Sequence, residues 1–156
     1  MLETLWRDQR ASFADERLSF DGIHQMPKPR QPGGVPVWVS GTANRRSARR
    51  LARFGHGWIP WGPAAADPVT GIAEMRALVE AEGRSFDGIE VVGAVRALTG
   101  SDGAVDLVAT MAGVPDLAAA GVTDVRLSMP VPADPSAAHD VYAAAVEAFR
   151  AVAPAP

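Results

Sequence analysis

Cysteine is absent from the 156-residue chain. That excludes disulfides, thiolate nucleophiles and cysteine-ligated metals. Histidine is scarce: His24, His56 and His139 stand far apart and lack the spacing of a metal-binding set. Basic charge is not in excess, since the formal net charge is -3. Nucleic acid is therefore not an expected partner, because a phosphate backbone calls for a basic surface. No apolar run approaches the roughly 20 residues of a membrane-spanning helix, so no membrane partner is expected. The opening MLETLWRDQR carries charges where a secretion signal needs apolar residues, which makes a cytoplasmic protein the expectation. Paired catalytic carboxylates and nucleophile–base pairs are missing too. What is present is a 47% hydrophobic chain, enough to bury the core of one globular domain.

Along the chain, Leu2 to about Arg10 reads as a short helix with Leu2, Leu5 and Trp6 on one side. Phe13, Leu18 and Phe20 flank the polar turn Ala14-Asp15-Glu16, the pattern of a small hairpin. QMPKPRQPGG is too rich in proline and glycine for regular structure. Residues 1–34 thus form a helix, a hairpin and a linker, and residues 35–152 hold the βα units. Val35 to Val39 reads as a strand buried on both faces. Ala43 to Phe54 follows as a helix, with Ala48, Leu51 and Ala52 opposite Arg46, Arg49, Arg50 and Arg53, and with Gly55 as its stop.

GWIPWG is a short buried strand. Asp67 is positioned to cap a helix from Pro68 to about Glu82. IEVVGAVRAL is a long strand, AVDLVATM and VPDLAAAG are short helices, VTDVRLSMPV is a strand, and an alanine-rich helix closes the chain. Strand and helix alternate four times, which predicts an α/β fold with parallel strands and crossover helices. SFDGI occurs at Ser19–Ile23 and again at Ser85–Ile89, but the flanks differ and the repeat reads as chance. A complete (β/α)8 barrel takes about 250 residues, more than this chain has. A dinucleotide fold is disfavoured as well: SGTANRRSA lacks the later glycines of G-x-G-x-x-G, and no acidic residue ends a strand about 20 residues on.

The turn from Ser40 to Asn44 joins a strand end to a helix start. Unpaired N–H groups and the helix dipole there favour an anion, Gly41 permits close approach, and Ser40, Thr42 and Asn44 offer further donors. The same pattern also fits a plain strand-to-helix turn with Thr42 as N-cap. Helical spacing turns the arginines toward solvent, Arg45 in the first turn being the exception. His56, before its strand, reads as a structural or surface residue. Trp38 and Trp58 read as core. Arg96 and Arg126 lie within strands and must reach a strand end, a carboxylate or a ligand.

PKPRQPGGVPVWVSGTANRRSARRLARFGHGWIPWG resembles the luciferase-like monooxygenases, the flavin- and deazaflavin-dependent (β/α)8 barrels. The resemblance runs through Pro27-Lys28-Pro29-Arg30-Gln31, Ser40-Gly41-Thr42, Arg49-Arg50-Leu51-Ala52-Arg53, Gly55-His56-Gly57-Trp58 and Pro60. It is dense from Leu5 to Gly62 and thins beyond. Ser40 stands where the family usually has Gly, and His56 where it has Asp. The resemblance covers only the second half of the family barrel. It implies an incomplete, half (β/α)8 barrel of four βα units, from a truncated member.

It further implies an oxidoreductase or monooxygenase using coenzyme F420, a deazaflavin, or FMN on a small-molecule substrate. The Arg-Arg helix and Gly-x-Gly-Trp pattern lean toward the deazaflavin branch. Ser40, Gly41, Thr42 and Asn44 would then cradle the cofactor phosphate, and Trp61 would line the ring pocket. Arg96 or Arg126 would be candidate substrate-site cations. A non-catalytic cofactor- or phosphate-binding module and an inactive fragment stay open beside this reading. Unpaired sheet edges in a half barrel would invite a homodimer or a complementing chain carrying the N-terminal half.

Overall fold

A computed structural model describes residues 1–153. The chain divides into two compact units, one spanning Met1–Pro36 and the other beginning at Val37.

In the first unit, α1 (Leu2–Arg7) stops three residues before the expected end. Asp8 is already extended, and the Lys28 ammonium donates to the carbonyls of Leu5 (2.7 Å) and Asp8 (2.6 Å). β1 (Ala11–Ala14) and β2 (Ser19–Ile23) form the expected antiparallel hairpin, with the Phe13 and Phe20 rings stacked. Its turn is closed by the Asp15 carboxylate, which accepts from the N–H groups of Arg17 and Leu18 and is thereby held below its ordinary pKa. Residues 24–37 contain no helix or strand, as their prolines and glycines require.

The second unit is α/β. Four strands, β3 (Trp38–Gly41), β4 (Gly57–Pro60), β5 (Glu90–Arg96) and β8 (Asp124–Ser128), make one sheet in that order, every pair parallel. Helices fill the crossovers: α2 (Arg45–Phe54), α3 (Pro63–Ala66) with α4 (Pro68–Ala81), α5 (Leu107–Met111) with α6 (Val114–Ala120), and α7 (Pro135–Val152). This is the arrangement of a partial (β/α)8 barrel. The core lies on one face of the sheet, where Val39, Trp58 and Val91 meet Leu51 of α2 and Met75 and Val79 of α4. Asp67 caps α4 as expected, accepting from the Thr70 N–H at 3.2 Å.

Two local expectations are corrected. The first strand lies at Trp38–Gly41 instead of Val35–Val39, because Pro36 has no N–H and Gly33-Gly34 hold the preceding chain at positive φ. It is buried on one face only: Val39 is buried, while Ser40 is exposed and Trp38 half-buried. Second, the long strand ends at Arg96. A hairpin follows, with β6 (Leu98–Thr99) paired to β7 (Val105–Asp106), where a helix was expected to begin near Ala104. α2 stops at Gly55 as expected, the Gly55 N–H donating to the Leu51 carbonyl at 3.0 Å, and the Arg84 guanidinium adds bonds to the Leu51 and Gly55 carbonyls at 2.7 Å each.

Candidate functional site

The carboxyl ends of β3 and β4 lie side by side, and their two turns form the candidate site. Ser40 is paired with Ile59 and Gly41 with Pro60. The Gly41 carbonyl accepts from the Trp58 indole N–H at 3.0 Å and from the Trp61 N–H at 3.3 Å. This single oxygen therefore ties the first turn to the second. Gly41 has φ 150°, and a Cβ there would come within 2.9 Å of the Ser47 Oγ, so both backbone shape and space call for glycine. The methyl group of Thr42 lies 3.5 Å from where a Cβ on Gly62 would stand.

The cap of α2 is Asn44, not Thr42. Asn44 Oδ1 accepts from the Ser47 N–H at 3.0 Å, and its Nδ2 donates to Thr42 Oγ1 (2.8 Å) and to the Thr42 carbonyl (3.1 Å). The Asn44 amide is thus used inside the turn. It shapes the turn, while Ser40 and Thr42 keep hydroxyl protons to donate outward. Ser40, Thr42 and Asn44 are all exposed. The first-turn N–H groups of Arg45 and Arg46 have no intrahelical acceptor by geometry and open at the same mouth. Trp61 is 63% exposed just beyond β4, at the same end of the sheet. The structure therefore brings all five sequence-derived residues to one end, the carboxyl end of the parallel strands, where sites form in this architecture.

The arginines of α2 divide by partner. Arg45 and Arg49 turn to Glu82, at 3.5 and 3.3 Å. Arg46, also in the first turn, pairs with no carboxylate among the described residues. Sequence reasoning set it aside with the solvent face.

His56 has the structural role expected of it. Its Nδ1 accepts from the Val37 N–H (3.2 Å), and its own N–H donates to the Val37 carbonyl (2.7 Å), which pins the start of β4 to the start of β3. Trp58 is completely buried, as expected of a core residue. Trp38 is not core. It lies on the opposite, concave face over Gly57, where a Cβ would meet its ring at 2.6 Å. The Arg126 guanidinium sits 5.9 Å from the Trp38 ring centre and 3.5 Å from the Asp124 carboxylate. Trp38 and Arg126 belong to the two outermost strands, so side chains from the sheet's two edges meet across its concave face. Arg96 ends β5 and is exposed.

Among solved structures, an F420-dependent secondary alcohol dehydrogenase in complex with an F420-acetone adduct matches with a TM-score of 0.64 and 14% identity. The match covers 96% of this chain and 59% of that one, so the chain spans about three-fifths of its length. A monooxygenase, RslO1 from Streptomyces bottropensis, matches at TM-score 0.47 and 15% identity over 94% of this chain and 39% of that one. The EDTA monooxygenase EmoA from Chelativorans sp. BNC1 matches at TM-score 0.41 and 26% identity over 69% and 23%. No curated protein matches. The first of these supports the barrel-type fold. The sequence profile of the luciferase-like monooxygenases matches residues 1–120, from α1 through both turns of the site to the end of α6. With the profile spanning well over half of its residues, this chain belongs to the luciferase-like monooxygenase family.

Proposed function

We propose that this chain supplies the phosphate-holding part of a flavin-type cofactor site in an oxidoreductase acting on a small-molecule substrate. The observation that carries the reading is the Ser40–Asn44 turn. It sits at the carboxyl end of β3, shaped by an internal Asn44–Thr42 bond, with two hydroxyls and free first-turn N–H groups around a glycine that a Cβ would obstruct. These groups fit a phosphate, which takes several N–H and O–H donors at a helix N-terminus. Ser40, Gly41 and Thr42 would hold it, with Asn44 positioning the turn rather than donating. Trp61, exposed beside them, offers a flat apolar surface for a ring.

A bound deazaflavin or flavin would supply the redox chemistry, hydride transfer for coenzyme F420 or oxygen insertion for FMN. The protein's part is to bind, orient and exclude water. Similarity in fold to an F420-dependent enzyme and the Gly55-His56-Gly57-Trp58 pattern support the deazaflavin over FMN.

A second reading, binding without turnover, draws on a specific observation: Arg126 and Trp38 already meet across the concave face. Titration with coenzyme F420 and with FMN, followed by fluorescence and equilibrium dialysis, tests both. Binding that Ser40→Ala and Thr42→Ala each weaken roughly tenfold supports the cradle. Affinity unchanged in both variants would remove it. Binding of either cofactor with no reduction of it by any alcohol donor would favour the second reading.

A further inference from the structure

The charged side chains of the concave face are sorted along the strands. Val91 and Gly93 point to the convex core, a Cβ on Gly93 meeting the Val122 side chain at 2.7 Å. Alternation therefore turns Glu90, Val92, Ala94 and Arg96 to the concave side. Ala94 is paired with Arg126 and Arg96 with Ser128, so Asp124, Arg126 and Ser128 of β8 share that side. The two carboxylates, Glu90 and Asp124, belong to the residues that open β5 and β8. The two cations come further along, toward the carboxyl ends.

These cations differ in what they already touch. Arg126 is engaged, with the Asp124 carboxylate at 3.5 Å and the Trp38 ring at 5.9 Å. Arg96 is exposed and pairs with no carboxylate among the described residues. Glu90 stands at the far end of the same strand, roughly 20 Å away at the rise of an extended chain. The acidic residues of the hairpin after β5 are used locally. Asp102 accepts from the Ala104 N–H at 3.0 Å, and Asp106 from the Ala109 N–H at 2.9 Å. One guanidinium without a counter-charge thus ends β5, beside the exposed hydroxyl of Ser128 on the adjoining strand.

We infer, building on the reading of this end of the sheet as an oxidoreductase site, that the substrate carries a carboxylate and that Arg96 and Ser128 hold it. A guanidinium is a planar fork of N–H donors that matches the two oxygens of a carboxylate, and the Ser128 hydroxyl adds a third donor. The backbone here offers no more, because the Ala97 N–H is spent on the Ser128 carbonyl at 2.9 Å. One positive charge with few donors suits a monoanion. A phosphate finds its many donors at the Ser40–Asn44 turn instead. Ala94, small and exposed, leaves room for the uncharged body of the substrate beside the Arg126–Trp38 pair. β5 lies two strands from β3, roughly 10 Å by strand spacing, so cradle and carboxylate site can be filled together.

Benzoate, with benzamide as its uncharged counterpart, probes this site on the 156-residue chain without cofactor. NMR titration at low ionic strength follows the Arg96 side-chain Nε–H and the Ser128 amide. An exposed ion pair is weak, so saturation with a dissociation constant of about 1–10 mM is expected for benzoate, and none for benzamide. Arg96→Gln should weaken benzoate roughly tenfold or more, and Ser128→Ala roughly threefold. Ser40→Ala should leave benzoate binding unchanged. Equal binding of benzamide overturns the proposal, as does a folded Arg96→Gln variant that keeps the affinity, or no saturation by about 50 mM. Should Arg96→Gln fail to fold, Ser128→Ala and the benzamide contrast decide. Cofactor affinity that Ser40→Ala and Thr42→Ala leave unchanged overturns the phosphate cradle alone. Loss of the benzoate response beside an intact cradle overturns the carboxylate site alone.

Discussion

The four parallel strands have two faces, and those faces are finished differently. On the convex side Val39, Trp58 and Val91 are sealed beneath α2 and α4. On the concave side the same strands present Trp38, Ser40, Arg96 and Arg126, all at least partly reached by water. Alternation along a strand makes this possible, since neighbouring residues such as Gly57 and Trp58 serve opposite surfaces. The difference teaches that the fold is held mainly from one side. On the other side Val92 is buried, and the polar and aromatic groups around it stay within reach of water.

The largest effect should come from the sealed face. Trp58→Ala removes a fully buried ring and its bond to the Gly41 carbonyl, and should cost about 3–5 kcal/mol in urea denaturation. A cost below about 1 kcal/mol would mean that the convex face does not dominate. Next comes Gly57→Ala, which pushes a methyl group into the Trp38 ring. Because the obstacle is a half-buried side chain able to move, about 1–2 kcal/mol is expected, with a shift in tryptophan emission. Arg126→Ala should cost less, about 0.5–1 kcal/mol, the value of a water-exposed cation–π contact. A loss as large as that of Trp58→Ala would put the concave face on equal terms with the core.

The smallest effect concerns acid. The Thr70 hydroxyl and N–H hold the Asp67 carboxyl below its ordinary value, and the Arg76 guanidinium does the same for Asp87. Folded pKa values depressed in this way give a contribution that is complete above the unfolded carboxylate pKa, near 4. It is lost as pH falls through the lower folded values. Thermal melts should therefore be flat from about pH 7 to about pH 5 and fall below about pH 4. In Asp67→Asn the fall should be shallower.

Much of the α/β order was legible because strand and helix differ in period. The caps at Asp67 and the βα turns carry strong local signals. Other features needed the third dimension. The hairpin of β6 and β7 was missed, because its strands have two residues each and the apolar run from Leu107 masked them. Thr42 and Asn44 are both good N-caps, and only the path of the chain out of β3 selects Asn44. The repeated SFDGI shows the limit most directly. At Ser19–Ile23 it is a strand. At Ser85–Ile89 it is a turn that buries Phe86 and Ile89 in the core. The contact of Trp38 with Arg126, 88 positions apart, depends on sheet curvature that no local pattern encodes. That the candidate residues share one end of the sheet was legible, but their local contacts were not: Asn44 spends its amide on the turn, and Arg46 instead of Arg45 is left without a carboxylate partner among the described residues.

The Gly41–Thr42 peptide has one consequence for detection. Its carbonyl oxygen receives the indole N–H of Trp58, while its N–H, at the other end of the same plane, belongs to Thr42 in the candidate cradle. An anion accepting from that N–H would polarise the whole amide and strengthen the bond to the indole. The buried tryptophan then works as a built-in optical gauge. Inorganic phosphate alone, carrying no chromophore, should shift its emission, and Ser40→Ala should move the midpoint of that shift without touching the tryptophan.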